Sequence, residues 1–185
     1  MASETKKKLC FVASPIGDAG KPDRTHADWL LKGIIIPVFN TNFPDFAVQR
    51  ADKISTPGMI NAQVINALHD AELVVADMTT HNANAFYEMA VRHMVRRPIV
   101  HMIRNDQKIP FDVAPHRAIP YSYAHPDDVE TAQTALQSAV EEAIRPDFHV
   151  ENPITHARGV QKLQRIWNVR RKSRSKCTPR YCRSS

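Results

Sequence analysis

A chain of 185 residues, 43% of them apolar and 24% charged, suits one domain with an appendage better than two full domains. Its apolar runs are short: Ile34-Ile35-Ile36 and Leu73-Val74-Val75-Ala76 are typical, and both fall well below a membrane span. The formal net charge of +6 belongs to the end of the chain: ten of the 25 basic residues lie from Arg158 onward, where no acidic residue occurs. The first 157 positions therefore keep 15 basic against 19 acidic residues, a net of −4, which argues against a basic nucleic-acid face on the domain.

Cys10, Cys177 and Cys182 are neither a disulfide framework nor a zinc spacing. Met1 to Lys8 has lysines but no apolar stretch with a cleavage site after them. Both features predict a reducing, cytoplasmic setting.

In chain order, Leu9 to Ala13 reads as a buried strand stopped by the turn residues Ser14-Pro15-Ile16-Gly17-Asp18. Thr25 to Ile36 has apolar residues at Ala27, Leu30, Leu31, Ile34 and Ile35, a helical spacing, with Pro37 beyond it. Phe46 to Arg50 is a second strand. Pro57-Gly58 introduces a helix with Ile60, Val64, Ile65 and Leu68 on one face. Leu73 to Met78 is an uninterrupted run of β-formers, as in a parallel strand covered on both faces.

After the polar loop Thr79 to Asn84, a helix from about Ala85 to Val95 turns Phe86, Met89, Ala90 and either His93 or Met94 inward. Pro98 to Ile103 is the fourth strand and Ile119 to Tyr121 a short fifth. Asp127 to Ile144 is a last helix with Val129, Ala132, Leu136, Val140 and Ile144 roughly in register. This alternation predicts a single flavodoxin-like (Rossmann-like) α/β domain over residues 8–145, with about five parallel strands flanked by helices. Residues 146–185 are expected to be a basic, partly disordered C-terminal extension. The strand order 2-1-3-4-5 is the natural expectation, although periodicity does not determine order.

Ligands of such sheets sit at the carboxyl edge where strand order reverses. That edge gathers Ser14 to Asp18, Arg50 to Asp52, Asp77 to Asn84, and the helix start carrying Tyr87 and Glu88. Glu88 is placed there as a functional carboxylate or, alternatively, as a glutamate that favours its helix N-terminus. Ser14, Pro15, Ile16 and Gly17 offer a hydroxyl and backbone donors for a phosphate, or form a simple tight turn. Arg50 is read equally as a phosphate partner or as paired with Asp52 or Asp77, and Arg24 as a lesser second phosphate contact. His101, inside a strand, reads as a core histidine. Neither the Gly-x-Gly-x-x-Gly nor the Gly-Lys-Ser/Thr pattern is present, and no cofactor or metal is expected.

The stretch Ala71 to Thr79 followed by Asn82-Ala83-Asn84-Ala85-Phe86-Tyr87-Glu88-Met89-Ala90 resembles the nucleoside 2-deoxyribosyltransferase-like superfamily. That group includes nucleoside 5′-monophosphate N-glycosidases and has TIR-like relatives. Cys10 to Gly17 is similar to its opening strand and loop, and Arg50-Ala51-Asp52 with Pro57-Gly58 to a segment of bacterial members. The resemblance covers residues 9–123.

It implies that Glu88 attacks or stabilises the anomeric carbon and that Ser14 contacts the 5′ phosphate or sugar. Asp77 would close the third strand near the site. Asp77 or Asp52 would serve as a second acid, with Tyr87, Asn82 and Asn84 positioning groups. Asn82 stands where transferases often carry an aspartate. Asn61-Ala62-Gln63-Val64 lacks the carboxylate that hydrolases commonly have before the third strand.

The expected function is therefore an N-glycosidase cleaving the base–sugar bond of a nucleoside 5′-monophosphate or related nucleotide. The alternatives are a nucleotide-sensing module without turnover, a TIR-like NAD-cleaving enzyme, and a nucleoside deoxyribosyltransferase. The partners expected are a small-molecule nucleotide or nucleoside and, by resemblance, a second copy in a homodimer or larger homo-oligomer. For the tail, a solvated terminus is preferred over nucleic-acid binding.

Overall fold

The computed structural model describes residues 7–18, 20–53, 60–114 and 116–159. Pro57-Gly58, Cys177, Cys182 and most of the basic tail lie outside the described residues.

Five strands, β1 (Lys8–Ala13), β2 (Phe46–Arg50), β3 (Leu73–Asp77), β4 (Ile99–Arg104) and β5 (Ala118–Tyr121), form one parallel sheet in the order β2-β1-β3-β4-β5. The expected order 2-1-3-4-5 is the observed one. The reversal lies between β1 and β3, where Val12 pairs with Val75 and Ala13 with Ala76. Every residue of β3 is buried, which explains its unbroken run of apolar β-formers.

Alternate residues of each strand feed two cores. Cys10, Val12, Leu73, Val75, Val100 and Met102 face the helical segment Leu30–Ile35, which follows α1 (Pro22–Trp29), together with α2 (Ile36–Asn42) and α5 (Pro126–Ala143). Phe11, Ala13, Val74, Ala76 and Ile103 face α3 (Ile60–Asp70) and α4 (Ala83–Val95). The molecule is thus a single α/β domain with helices on both faces of the sheet. Among the described residues no helix is long and apolar enough to cross a membrane.

The first helix differs from expectation. Pro37 was to end it, yet the chain continues from α1 through a π-helical segment, Leu30–Ile35, into α2. A proline inside a helix collides with the carbonyl four residues back and cannot bond to it. The wider π turn absorbs this conflict, with the Ile36 amide donating to the Leu31 carbonyl. Gly33, four residues before Pro37, has its freed carbonyl satisfied by Gln133 Nε2 of α5 at 2.7 Å.

Two other details were open or different. In α4, His93 turns inward and Met94 outward, at 4% and 48% exposure, while Ala90 is exposed. Arg92 is fully buried and donates to the carbonyls of Leu68, Glu72 and Pro98 at 2.7 to 3.1 Å, tying α3, β3 and the entry to β4 together. Beyond α5, buried Asn152 donates to the His93 carbonyl at 3.1 Å and caps the helical residues 153–159 through Ile154 and Thr155, which docks the start of the extension on α4.

Candidate functional site

The carboxyl edge beside the reversal brings together the loop after β1, the end of β2, the loop after β3 and the first turns of α4. Helix α4 follows the loop after β3 and packs on both β1 and β3.

Asn82 is the N-cap of α4: its Oδ1 accepts from the amides of Asn84 at 3.0 Å and Ala85 at 3.2 Å. This Asx cap satisfies two donors that a helix start leaves unpaired. It also directs the chain after Thr80 and His81, whose φ values of 60° and 50° are left-handed. Asn84 and Tyr87 are exposed, Tyr87 at 64%.

Glu88, one residue on, is half-buried. It makes no hydrogen bond or ion pair among the described residues, and burial pushes its carboxyl up to about 7. A carboxylate stripped of water without a compensating donor is costly. A carboxyl perturbed in this way is a candidate functional group.

After β1, Ser14 is 5% exposed and its Oγ is buried without a hydrogen-bond partner. Pro15 is buried, and Ile16 and Gly17 half-buried. At Gly17 an added Cβ would lie 2.9 Å from Cβ of Asp23, so only glycine lets this loop lie against the start of α1 without a shift.

Arg50 ends β2 fully buried. It donates to Asp52 Oδ1 at 2.6 Å and Oδ2 at 2.9 Å and to Asp28 of α1, while its Nη1 is buried without a partner. Arg24 joins the set, donating to Asp52 at 2.7 Å. The hydrogen bond from Arg50 holds the Asp28 carboxyl below its ordinary range. Of the two readings of Arg50, its pairing with Asp52 is present, Asp28 is an added partner, and one nitrogen is left over.

Asp77 is 1% exposed. Its Oδ1 accepts from Thr79 Oγ1 at 2.6 Å, the Thr79 amide at 3.0 Å and the Tyr121 hydroxyl at 2.9 Å; its Oδ2 lies 2.9 Å from His26 Nε2. Tyr121 O–H also lies 2.7 Å from His26 Nε2, and burial pushes its phenol well above the ordinary value. Thr79 Oγ1 accepts from the Arg104 amide at 3.0 Å. His26 of α1, Thr79 after β3 and Tyr121 of β5 thus meet on one carboxylate, which is saturated and faces the interior, and β4 joins through Thr79.

Reasoning from sequence missed His26, Asp28 and Tyr121. His26 had one signal: it precedes Leu30 and Ile34 by one and two turns on the inward stripe, so a polar residue there calls for a buried partner. Tyr121 is 95 residues away, and no local spacing links the two.

No family model matches the sequence. No curated protein matches it either. Among solved structures, the chain is similar to a 2-deoxyribosyltransferase from Leishmania mexicana, at 12% identity over 66% of this chain and 76% of that one, with a TM-score of 0.41. It is also similar to the 2-deoxyribosyltransferase of the psychrotolerant bacterium Bacillus psychrosaccharolyticus, at 9% identity over 68% of this chain and 90% of that one, with a TM-score of 0.49. Likeness at these identities concerns chain fold and leaves the chemistry to the side chains themselves.

Proposed function

We propose that the chain cleaves the N-glycosidic bond of a nucleoside 5′-monophosphate, with Glu88 as the group that meets the anomeric carbon. The observation that carries this is the half-buried, unpartnered Glu88 carboxyl at the carboxyl edge, raised to about 7 by burial alone. As the C1′–N bond breaks, its electron pair leaves with the base and positive charge grows on the ribosyl ring. An ionised carboxylate in a dry site stabilises that charge or bonds to C1′, after which water takes the sugar. A pKa of about 7 leaves roughly half of these groups ionised at neutral pH and most of them above it.

In this reading Ser14 Oγ and the loop to Gly17 bind the phosphate or sugar, since the hydroxyl is buried with no partner of its own. Arg50 and Asp52 shape the neighbouring wall, with Arg50 Nη1 the nitrogen available to a phosphate. Asn82, Asn84 and Tyr87 form the rim. Asp77 acts as a positioning residue, holding the β3 end from which the Glu88 loop springs. A second copy of the chain completing the rim belongs to the same proposal.

One observation favours a second reading, nucleotide binding without turnover: residues 61–64, Asn-Ala-Gln-Val, contain no carboxylate. Incubation with nucleoside monophosphates, nucleosides and NAD, with products separated by chromatography, decides between them. Free base from a monophosphate supports the first reading, and nicotinamide from NAD redirects it. Transfer of the sugar to an added second base marks a transferase. Calorimetric binding with no product selects the sensor.

A further inference from the structure

Helix α4 shows water a different kind of face from α5. Exposed positions of α5 carry residues such as Asp127, Glu130, Thr134, Ser138, Glu141 and Glu142, as a solvated helix face does. In α4 the exposed positions are Ala83, Asn84, Tyr87, Ala90 and Met94, and none is charged. Tyr87 is 64% and Met94 48% exposed. Ala83, Tyr87, Ala90 and Met94 are spaced i, i+4, i+7 and i+11, which draws one apolar stripe along the helix. Val91 and Val95 are half-buried beside it. Arg158 of the docked extension reaches Met94 Sδ at 4.0 Å and leaves most of the stripe bare.

A second apolar surface adjoins the N-terminal end of the stripe. The Lys108 carbonyl lies 2.9 Å from His81 Nε2, two residues before α4. Ile109 and Phe111 follow it, both exposed, Phe111 at 84%.

We propose that this stripe is the contact between two copies of the chain, with α4 packed antiparallel on the partner's α4 about a two-fold axis. Such an axis lays a face on itself, so any charge on it would meet its own copy. The stripe has none. Its residues also alternate small and large. The antiparallel register sets Tyr87 over the partner's Ala90 and Met94 over the partner's Ala83. Each bulky side chain then meets a small one, which fills the space between helices. A parallel pair would set Tyr87 against Tyr87 and alanine against alanine, and the alanine layers would be left hollow. Antiparallel alignment also brings opposite helix-dipole ends together.

A stable interface takes about 800 Å² from each partner. One helix face supplies part of that, and Ile109 and Phe111 widen the patch. The second copy placed at the rim thereby acquires a docking face: Tyr87 lies in the contact and directly precedes Glu88. The contact itself does not depend on the reaction assigned to Glu88.

Sedimentation equilibrium of the full chain tests this, with oxidative cross-linking to set the register. The parent is expected to be a dimer at micromolar concentration. Ala90→Arg, which sets like charges into the seam, should weaken association at least tenfold with an unchanged circular dichroism spectrum; Met94→Lys serves if that variant misfolds. Cross-linking uses a chain carrying Cys177→Ser and Cys182→Ser, since Cys10 is buried. Positions 83 and 94 lie about 16 Å apart along one helix, beyond the roughly 7 Å a disulfide spans. Ala83→Cys combined with Met94→Cys should therefore link two chains, while each single variant should not. A monomeric parent overturns the proposal, as does a dimer that Ala90→Arg leaves intact or one that Ala83→Cys alone cross-links. In a monomer, a polarity-sensitive dye on Ala90→Cys names the occupant instead: an apolar signal assigns the stripe to the chain's own residues 160–185, and a watery one leaves it bare. Either overturns the pairing. Base release is not read in these assays, so their failure and that of the glycosidase reading are separate results.

Discussion

His26 in α1 and Asp77 at the end of β3 lie 51 positions apart in sequence, and their side chains meet at 2.9 Å in the interior. Tyr121 and Thr79 close the set around the same carboxylate. Removing one donor leaves a buried acceptor short of a bond, which costs about 1–2 kcal/mol. Tyr121→Phe is therefore expected to lower stability by about that amount in urea denaturation, with His26→Ala costing more because it also opens a cavity. Parent-like midpoints in both variants would show that the network is not holding the edge.

The proline-bearing helix supplies a second prediction through its link to α5. Gln133 serves the Gly33 carbonyl only because Pro37 has no N–H to offer it. Gln133→Ala should cost about 1 kcal/mol in the parent chain. The cost should shrink when Pro37→Ala supplies an amide within the helix. A double-mutant cycle measures the coupling; additivity would contradict it.

Arg92 is a third. Its guanidinium is buried against three carbonyls, with no carboxylate bonded to it, and burial pulls its pKa down to about 10. Arg92→Ala leaves the carbonyls of Leu68, Glu72 and Pro98 unpaired beside a void, and should cost roughly 3–5 kcal/mol. Chemical denaturation followed by circular dichroism checks this. Because the residue is far from the carboxyl edge, nucleotide binding by the folded fraction should persist.

Much of the fold was legible because the apolar pattern is strong. Leu73 to Met78 announced a strand covered on both faces, and Leu73–Asp77 is buried throughout; of the set expected on the inner face of α5, Ala132, Leu136 and Val140 are buried, whereas Ile144, just past the helix, is exposed. The continuation past Pro37 was not legible, since the residue that makes it tolerable, Gln133, lies about a hundred positions on. At the edge, the polar loop Thr79 to Asn84 before an apolar run announced the helix start that Asn82 caps. Asp52 was foreseen as a partner of Arg50, but the second partner of Arg50 and those of Asp77 were hidden. Asp28, His26 and Tyr121 reach them only after strand order is set, and one-dimensional spacing carries no trace of it.

Glu88 yields a prediction with a definite sign. Its carboxyl binds a proton more tightly in the fold, near 7 against an ordinary 4.5. The stability this contributes is fully present below pH 4.5, declines above it, and is lost once pH passes 7. Glu88→Gln stays neutral, so its stability advantage over the parent should grow from about pH 5 to pH 8 by on the order of 1–3 kcal/mol. Thermal melts across that range measure it, and a constant offset would mean that Glu88 is well solvated. Catalysis runs the other way. An ionised Glu88 is needed, so kcat/KM should fall about tenfold per unit well below pH 7.

The most direct measurement is release of free base from a panel of nucleoside 5′-monophosphates, parent chain beside Glu88→Gln at pH 8. The account predicts base from at least one monophosphate, and a loss of about a hundredfold or more in the variant while nucleotide binding is retained. Base release that continues undiminished in Glu88→Gln, or no release from any monophosphate by the parent chain, would contradict it.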